Sequence, residues 1–563
     1  MDIGDILAFK PEQTPKRSAD DEARSDEKSK RLKRIADAKE SANFIKPIAP
    51  KTLPSEFDSA LTDEERRNIA KFVDTEEVDI DVLDEPGLKK LLLLFEKRNL
   101  KNQEMRIKFP ENPEKFMESE VDLHSVLEEL KALATVPDLY PVLVELHGIP
   151  SLLELLNHPN TDITVSVIDL LQELSDVDIL HESTEGAEIL IDALRKQQIC
   201  ALLVQNLERL NETVKEEADG VHNTLAIIEN LTEMRSDMCV EAAEQGFLAW
   251  IIKRLRHKSP FDLNKLYSSE ILSILLQTDS SNRLLLGELE GIDILLQQLA
   301  SYKRHDPNSS EEQEFMENLF NCLCSALMEK ENKDKFLKGE GLQLMNLMLR
   351  EKKMSRNGSL KVLDHAVSGP DGKENCNKFI DILGLRTIFP LFMKTPKRKK
   401  RILSSDEHEE HVLSVIGSLL RNCKGTQRQR LLSKFCENDF EKIDRLLELH
   451  LKYVDKVELV DKEIDSQPKN PDLDEDEEAD NNYIRRLSGG LFTLQLVDFI
   501  ILEVSITSED IKQRVIKILN LRKSSMKTIR DVMREYAGNL GDNGDLDWKD
   551  QEQNHVLSLV DRF

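Results

Sequence analysis

The sequence predicts an all-α fold in which short helical units stack in a row, and three observations carry that expectation. A glycine followed by a large apolar residue recurs ahead of leucine-rich stretches, at Gly148-Ile149, Gly246-Phe247, Gly291-Ile292, Gly341-Leu342 and Gly384-Leu385, with a degenerate copy at Gln198-Ile199. After the first pivot, Ile163, Val167, Leu170, Leu171 and Leu174 recur at helical spacing, and Val165 and Ile168 widen the stripe beyond what one unit covers. Aromatic residues make up only 5% of the chain and glycine is sparse, which disfavours an all-β fold. The pivots recur at roughly 40–47 residues with small insertions, the period of armadillo and HEAT units. The fold class is therefore an armadillo/HEAT-type helical solenoid with N- and C-terminal capping helices and a disordered N-terminal tail.

Residues 1–78 are polar and charged, and read as the disordered tail. Within it lie Lys16-Arg17 and, twelve residues on, a cluster containing Lys30, Arg31, Lys33 and Arg34. Two basic clusters at that separation match a bipartite nuclear localisation signal. Thr14, before Pro15, is a candidate phosphorylation site where added negative charge would weaken import. Residues 79–134 should form capping helices, among them an amphipathic helix over Val121–Ala134. Armadillo repeats follow over 135–450. In the first, Gly148 suits the turn because it tolerates unusual backbone angles. Pro150 belongs at a first helical position, and Asn160, Thr161 or Asp162 can cap the next helix. The basic run Lys397–Arg401, behind the candidate phosphorylation site Thr395, reads as an exposed loop, with a second localisation signal as the alternative. Residues 451–482 read as an acidic linker, and 483–563 as a C-terminal helical cap whose last residues, Asn554–Phe563, fold back to close the array.

The net charge of −28 argues against direct nucleic-acid binding and favours basic protein partners. Seven scattered cysteines and no signal peptide point to a reducing compartment. No apolar run reaches membrane-spanning length, so no membrane contact is expected. Catalytic and cofactor motifs are missing. His408-Glu409-Glu410-His411 reads better as a helix start than as a metal site, and Cys322-x-Cys324 lacks a second ligand pair. The expectation is no enzyme, no cofactor and no metal; self-association is left open.

In armadillo proteins the third helices line a concave groove. Importin-α-type adaptors hold basic peptides there with repeated Trp and Asn residues. The matching positions here are Asp169 and Glu173 in the first repeat, then Ala226 and Asn230 in the next. With only Trp250 and Trp548 in the chain a tryptophan ladder is impossible. What remains is an acidic candidate groove of Asp169, Glu173 and Asn230 suited to basic segments, the alternative being solvated helix positions.

Long stretches carry a specific resemblance: Leu94–Arg98, Asn102–Glu120, Leu202–Leu210, Lys215–Ala226, Phe336–Lys353 and Ile382–Lys394. Across roughly residues 80–563 the sequence resembles the β-catenin-like protein 1 family. The resemblance implies a nuclear armadillo protein of the pre-mRNA splicing machinery. It would sit with spliceosomal proteins, including a complex built around a Myb-like splicing factor, and bind localisation-signal-like segments. Vertebrate members of the family are also linked to the antibody-diversifying deaminase. An importin-α-like transport adaptor is the alternative function, and the missing tryptophans speak against it.

Overall fold

The computed structural model describes residues 83–395, 404–467, 475–541 and 546–563. The tail with Thr14, Lys16, Arg17, Lys30, Arg31, Lys33 and Arg34, and the Lys397–Arg401 insertion, lie outside the described residues. Every regular element described is helical, and the architecture is an armadillo-type solenoid. The helices group into two compact units, one within Glu12–Met234 and one over Arg235–Phe563.

The first unit opens with an antiparallel pair, Glu85–Lys108 and Pro113–Leu130. Asp84 caps the first by accepting from the Gly87 N–H at 2.7 Å. The pair is stitched by Asn102 donating to Ser119 at 3.0 Å and by Arg106, which meets Glu120 at 2.8 Å and lies over the Phe116 ring. Two repeats follow: Tyr140–Glu145, Gly148–Glu154 and Thr161–Leu174, then Thr184–Lys196, Ile199–Leu207 and Lys215–Met234. Asn160 is the cap of Thr161–Leu174, accepting from the Asp162 N–H at 3.0 Å. Pro150 is the third residue of its helix rather than the first, still within the turn whose N–H groups lack intrahelical partners. All five stripe residues, Ile163, Val167, Leu170, Leu171 and Leu174, are buried.

The pivots work differently from the sequence reading. The left-handed backbone falls on the residue before the glycine: His147, Glu290, Glu340 and Leu383, with φ between 56° and 64°. Gly148, Gly291, Gly341 and Gly384 instead make room. A Cβ on Gly148 would lie 2.5 Å from Leu143, one on Gly291 2.4 Å from Leu286, and one on Gly341 2.3 Å from the Phe336 ring. In each case the obstructing side chain is five residues earlier. Only Gly246, with φ 106°, takes the left-handed angle itself.

The second unit repeats the same plan from Met238–Glu244 to Ser405–Asn422. A feature invisible to hydrophobic patterning ties its repeats together. Asn282, Asn332 and Asn375 each occupy the third position of the first helix of a repeat, and each is buried. Their amides donate to carbonyls of the preceding repeat: Asn282 to Cys239 at 3.0 Å, Asn332 to Arg283 at 2.7 Å, Asn375 to Lys333 at 3.4 Å. For Asn332 and Asn375 the acceptor belongs to the residue after the equivalent asparagine one repeat earlier. Asn332 also reaches the Ala326 carbonyl at 3.0 Å. We expect Asn332→Ala to remove both buried hydrogen bonds and so to cost about 1–3 kcal/mol, read as a lowered denaturant midpoint with an unchanged slope.

Two expectations near the C-terminus need correction. Residues 451–466, assigned to the acidic linker, continue the helix Glu441–Ser466, because Leu446, His450, Tyr453 and Val457 form a buried stripe among the charges. The helix Glu475–Arg486 likewise begins inside the acidic run, where carboxylates complement the positive end of a helix dipole. The membrane reading also changes. Taken through its kink at Gly490, Glu477–Thr507 is long and apolar enough to cross a bilayer, but 83% of its apolar window is buried in the fold. It is the core around which Glu441–Ser466, Glu509–Leu521 and Met526–Gly538 pack. The last helix, Leu546–Arg562, docks onto it as expected. His555 meets Glu503 at 2.7 Å, Arg421 meets Glu552 at 2.8 Å, and Val556 and Phe563 are buried.

Candidate binding groove

Asp169 lies two turns into Thr161–Leu174 on the face turned toward Lys215–Met234. The two helices approach closely because Gly220 has no side chain: a Cβ there would sit 2.9 Å from Val165. Across this contact the Asn223 amide donates to Asp169 at 2.8 Å, and Lys131 stands 4.0 Å away. Val165, Asp169, Glu216, Asp219, His222 and Asn223 line a cleft of about 410 Å³. Burial pushes the Asp169 carboxyl above its ordinary value. Asn223 and Lys131 oppose that shift, while Glu128 and Asp219 add to it.

Glu173 follows one turn later on the Asp169 face, half-buried. Asn230 is also half-buried, two turns beyond Asn223 on the same side of its helix, but it does not line the cleft. The structure thus brings Asp169 together with residues the sequence reading passed over: Glu216, Asp219, His222 and Asn223. Two signals pointed to them. Asp219, Asn223 and Asn230 recur at i, i+4 and i+11, and Gly220 marks where one helix backbone nears another.

The other candidates have structural roles. His408 to His411 starts the helix Ser405–Asn422 behind a capping box of Ser404 and Glu407. Glu409 is a buried hub, accepting from Thr395 at 2.7 Å, Lys452 at 2.7 Å and Tyr453 at 2.9 Å. The Thr395 hydroxyl is therefore engaged, and it also accepts from Arg445 at 2.8 Å. Burial raises the Cys322 and Cys324 thiols, the latter to about 12, which makes them poor nucleophiles. Trp250 packs in the core with its ring 6.0 Å from Phe247, away from any ladder. Among the described residues no three His, Cys, Asp or Glu side chains converge as a metal-ligand set.

A cleft lined by carboxylates and Val165 between stacked third helices belongs to an armadillo-type protein. The chain belongs to the catenin-β-like, Arm-motif-containing nuclear family, whose model matches residues 67–534. It is similar to the β-catenin-like protein 1 of Rattus norvegicus, 52% identical over the whole of both chains. The Homo sapiens protein of that name is 58% identical, over 85% of this chain and 86% of its own. The homolog from Schizosaccharomyces pombe is 32% identical, over 86% of this chain and 84% of its own. The family is of the armadillo scaffold kind.

Proposed function

We propose that this chain is a non-enzymatic nuclear scaffold of the pre-mRNA splicing machinery that binds basic, localisation-signal-like segments of splicing factors. The observation that carries the reading is the cleft lined by Asp169, Glu216 and Asp219 over Val165. A lysine or arginine entering it meets carboxylates for its charge and the Val165 side chain for its stem. The family's description as nuclear supports the compartment. The partner class is a spliceosomal assembly containing a Myb-like factor. Each exposed ion pair contributes on the order of 1 kcal/mol or less. Useful affinity therefore needs several pairs, and charge acts mainly on the association rate.

Asp169→Lys with Glu173→Lys is expected to weaken binding of a Lys/Arg-rich splicing-factor peptide at least tenfold. Loss of the Asn223 hydrogen bond should lower the melting temperature only slightly while circular dichroism reports an intact fold. Titration calorimetry at two salt concentrations reads it, since salt screens such charges over about 8 Å at physiological strength. The raised Asp169 carboxyl adds a pH signature. A cationic guest needs the carboxylate, so acidification should release it at a higher pH than an ordinary aspartate would give. Equal affinity for variant and parent, with no salt dependence, would remove the groove from the mechanism.

Nuclear entry is assigned to the tail. Changing Lys30, Arg31, Lys33 and Arg34 to Ala is expected to leave a fluorescent fusion largely cytoplasmic, as imaged in living cells. A fusion that stays nuclear would move the signal to Lys397–Arg401 or to a bound partner.

A further inference from the structure

We propose that the outer face of the helix Glu85–Lys108 is a docking surface for an acidic amphipathic helix of a partner protein. The inner face of this helix is filled: Leu88, Leu92, Phe95, Asn99 and Asn102 are buried. On the other side Leu93, Leu100 and Ile107 are 67%, 65% and 80% exposed. Single exposed leucines are ordinary on a protein surface. These three are spaced seven apart, so they form one stripe about 21 Å long at 1.5 Å per residue.

The stripe ends in a preformed cavity. Beside Ile107 a cleft of about 330 Å³ opens between this helix and the Glu154–Pro159 turn, with Gln103, Arg106, Leu155 and His158 in its walls. Those walls are fixed: His158 Nε2 meets the side-chain Oδ1 of Asn102 at 3.1 Å, and Arg209 donates to the Leu156 backbone carbonyl at 3.1 Å. The space suits one aromatic or leucine anchor side chain, the usual centre of a helix-in-groove contact.

Charge selects the occupant. The helix carries seven basic and three acidic residues within a chain of net charge −28. Lys90 and Lys97, both exposed, run along one edge of the stripe with the same seven-residue spacing, and the next position, Glu104, is neutralised by Lys108. Lys101 and Lys108 lie beyond them, bonded to Asp122 and Glu104, and Glu96 sits at the opposite edge. The complementary partner has apolar residues seven apart with carboxylates along one flank. It is opposite in charge to the guest of the acidic groove, so one chain would recruit two kinds of segment at separate places.

The test uses the full chain and a labelled synthetic helical peptide with leucines at seven-residue spacing flanked by glutamates, alongside a lysine-flanked counterpart. Fluorescence anisotropy should show the acidic peptide binding at least tenfold more weakly to Leu100→Glu with Ile107→Glu, and several-fold more weakly to Lys90→Glu with Lys97→Glu. The basic peptide should respond to neither pair, which separates this surface from the groove. All four positions are exposed, so circular dichroism should report an intact fold. Unchanged binding of the acidic peptide to both variants would overturn the proposal. So would an oligomer in sedimentation that Leu100→Glu with Ile107→Glu dissociates, which would make a second copy the occupant. Anionic lipid vesicles that bind the parent and not that variant would make the surface a lipid contact. Ile69, Phe72 and Val73 of the N-terminal tail precede the acidic run Asp74, Glu76, Glu77, Asp79 and Asp81. Tighter peptide binding after those three are changed to Ser would assign the stripe to that segment of this chain.

Discussion

Replacing Leu170 with Asp is expected to unfold the Thr161–Leu174 repeat. Leu170 is 0% exposed, between Val167, Leu171 and Leu174, which are also buried. Two losses add. Truncating a buried leucine forfeits about 2–5 kcal/mol in transfer and cavity terms. An isolated carboxylate in apolar surroundings costs several kcal/mol more, even if it takes up a proton to lower that cost. Domains are stable by about 5–15 kcal/mol in all, so the sum approaches the whole stability of a unit. Circular dichroism melting reads it, with Leu170→Met as the control expected to cost less than about 1.5 kcal/mol. A melting temperature unchanged by Asp would show that Leu170 faces water.

The helices and their order were legible because solenoid units bury a wide stripe, and a wide stripe leaves a strong 3.6-residue signal, as in Ile163 to Leu174. Turn geometry was legible only as a location. The glycine of each pivot was visible, but its reason was not, because the obstructing Leu143, Leu286 or Phe336 acts by shape in three dimensions. The asparagine ladder was hidden for a related reason. Asn282, Asn332 and Asn375 sit among polar residues and differ from surface asparagines only in what they touch. Charge patterning misled in one place: the buried stripe through Tyr453 and Val457 is diluted by Lys, Asp and Glu, and the stretch read as linker. For the groove, Asp169 was placed by armadillo register. The spacing of Asp219 and Asn223 put them on one helix face, but that this face meets Asp169 depends on how two helices pack, which a periodicity within one helix does not encode.

Removing the carboxylate of Asp498 is expected to be the costliest polar change in the second unit. Asp498 and His450 are both fully buried, with Oδ1 2.6 Å from Nδ1, between the helices Phe492–Thr507 and Glu441–Ser466. Burial alone would lower the His450 pKa, but the Asp498 charge and hydrogen bond outweigh it and hold it above the ordinary value. Burial raises Asp498 as well, with His450 opposing. Asp498→Ala strands a buried imidazole and should cost about 3–5 kcal/mol, as breaking one side of a buried pair does. The pH dependence gives the sharper test. A histidine with a raised folded pKa contributes stability that is fully present below its unfolded value of about 6.5 and lost as pH rises through the folded value. Asp498, also raised, binds its proton more tightly in the fold and so pulls in the same direction. Asp498→Asn keeps an acceptor for Nδ1–H but deletes the charge, so burial alone then governs His450 and depresses it. The sign inverts: the variant should gain stability as pH rises from about 5 to 7, as an imidazole buried neutral does. His555, raised by its bond to Glu503, titrates with the parent's sign in both proteins and cancels in the difference. The difference in unfolding free energy between parent and Asp498→Asn, measured by urea titration at half-unit steps from pH 5 to 9, should therefore shrink steadily as pH rises. A difference independent of pH would mean that His450 carries no shifted proton, leaving only packing to explain the cost of Asp498→Ala.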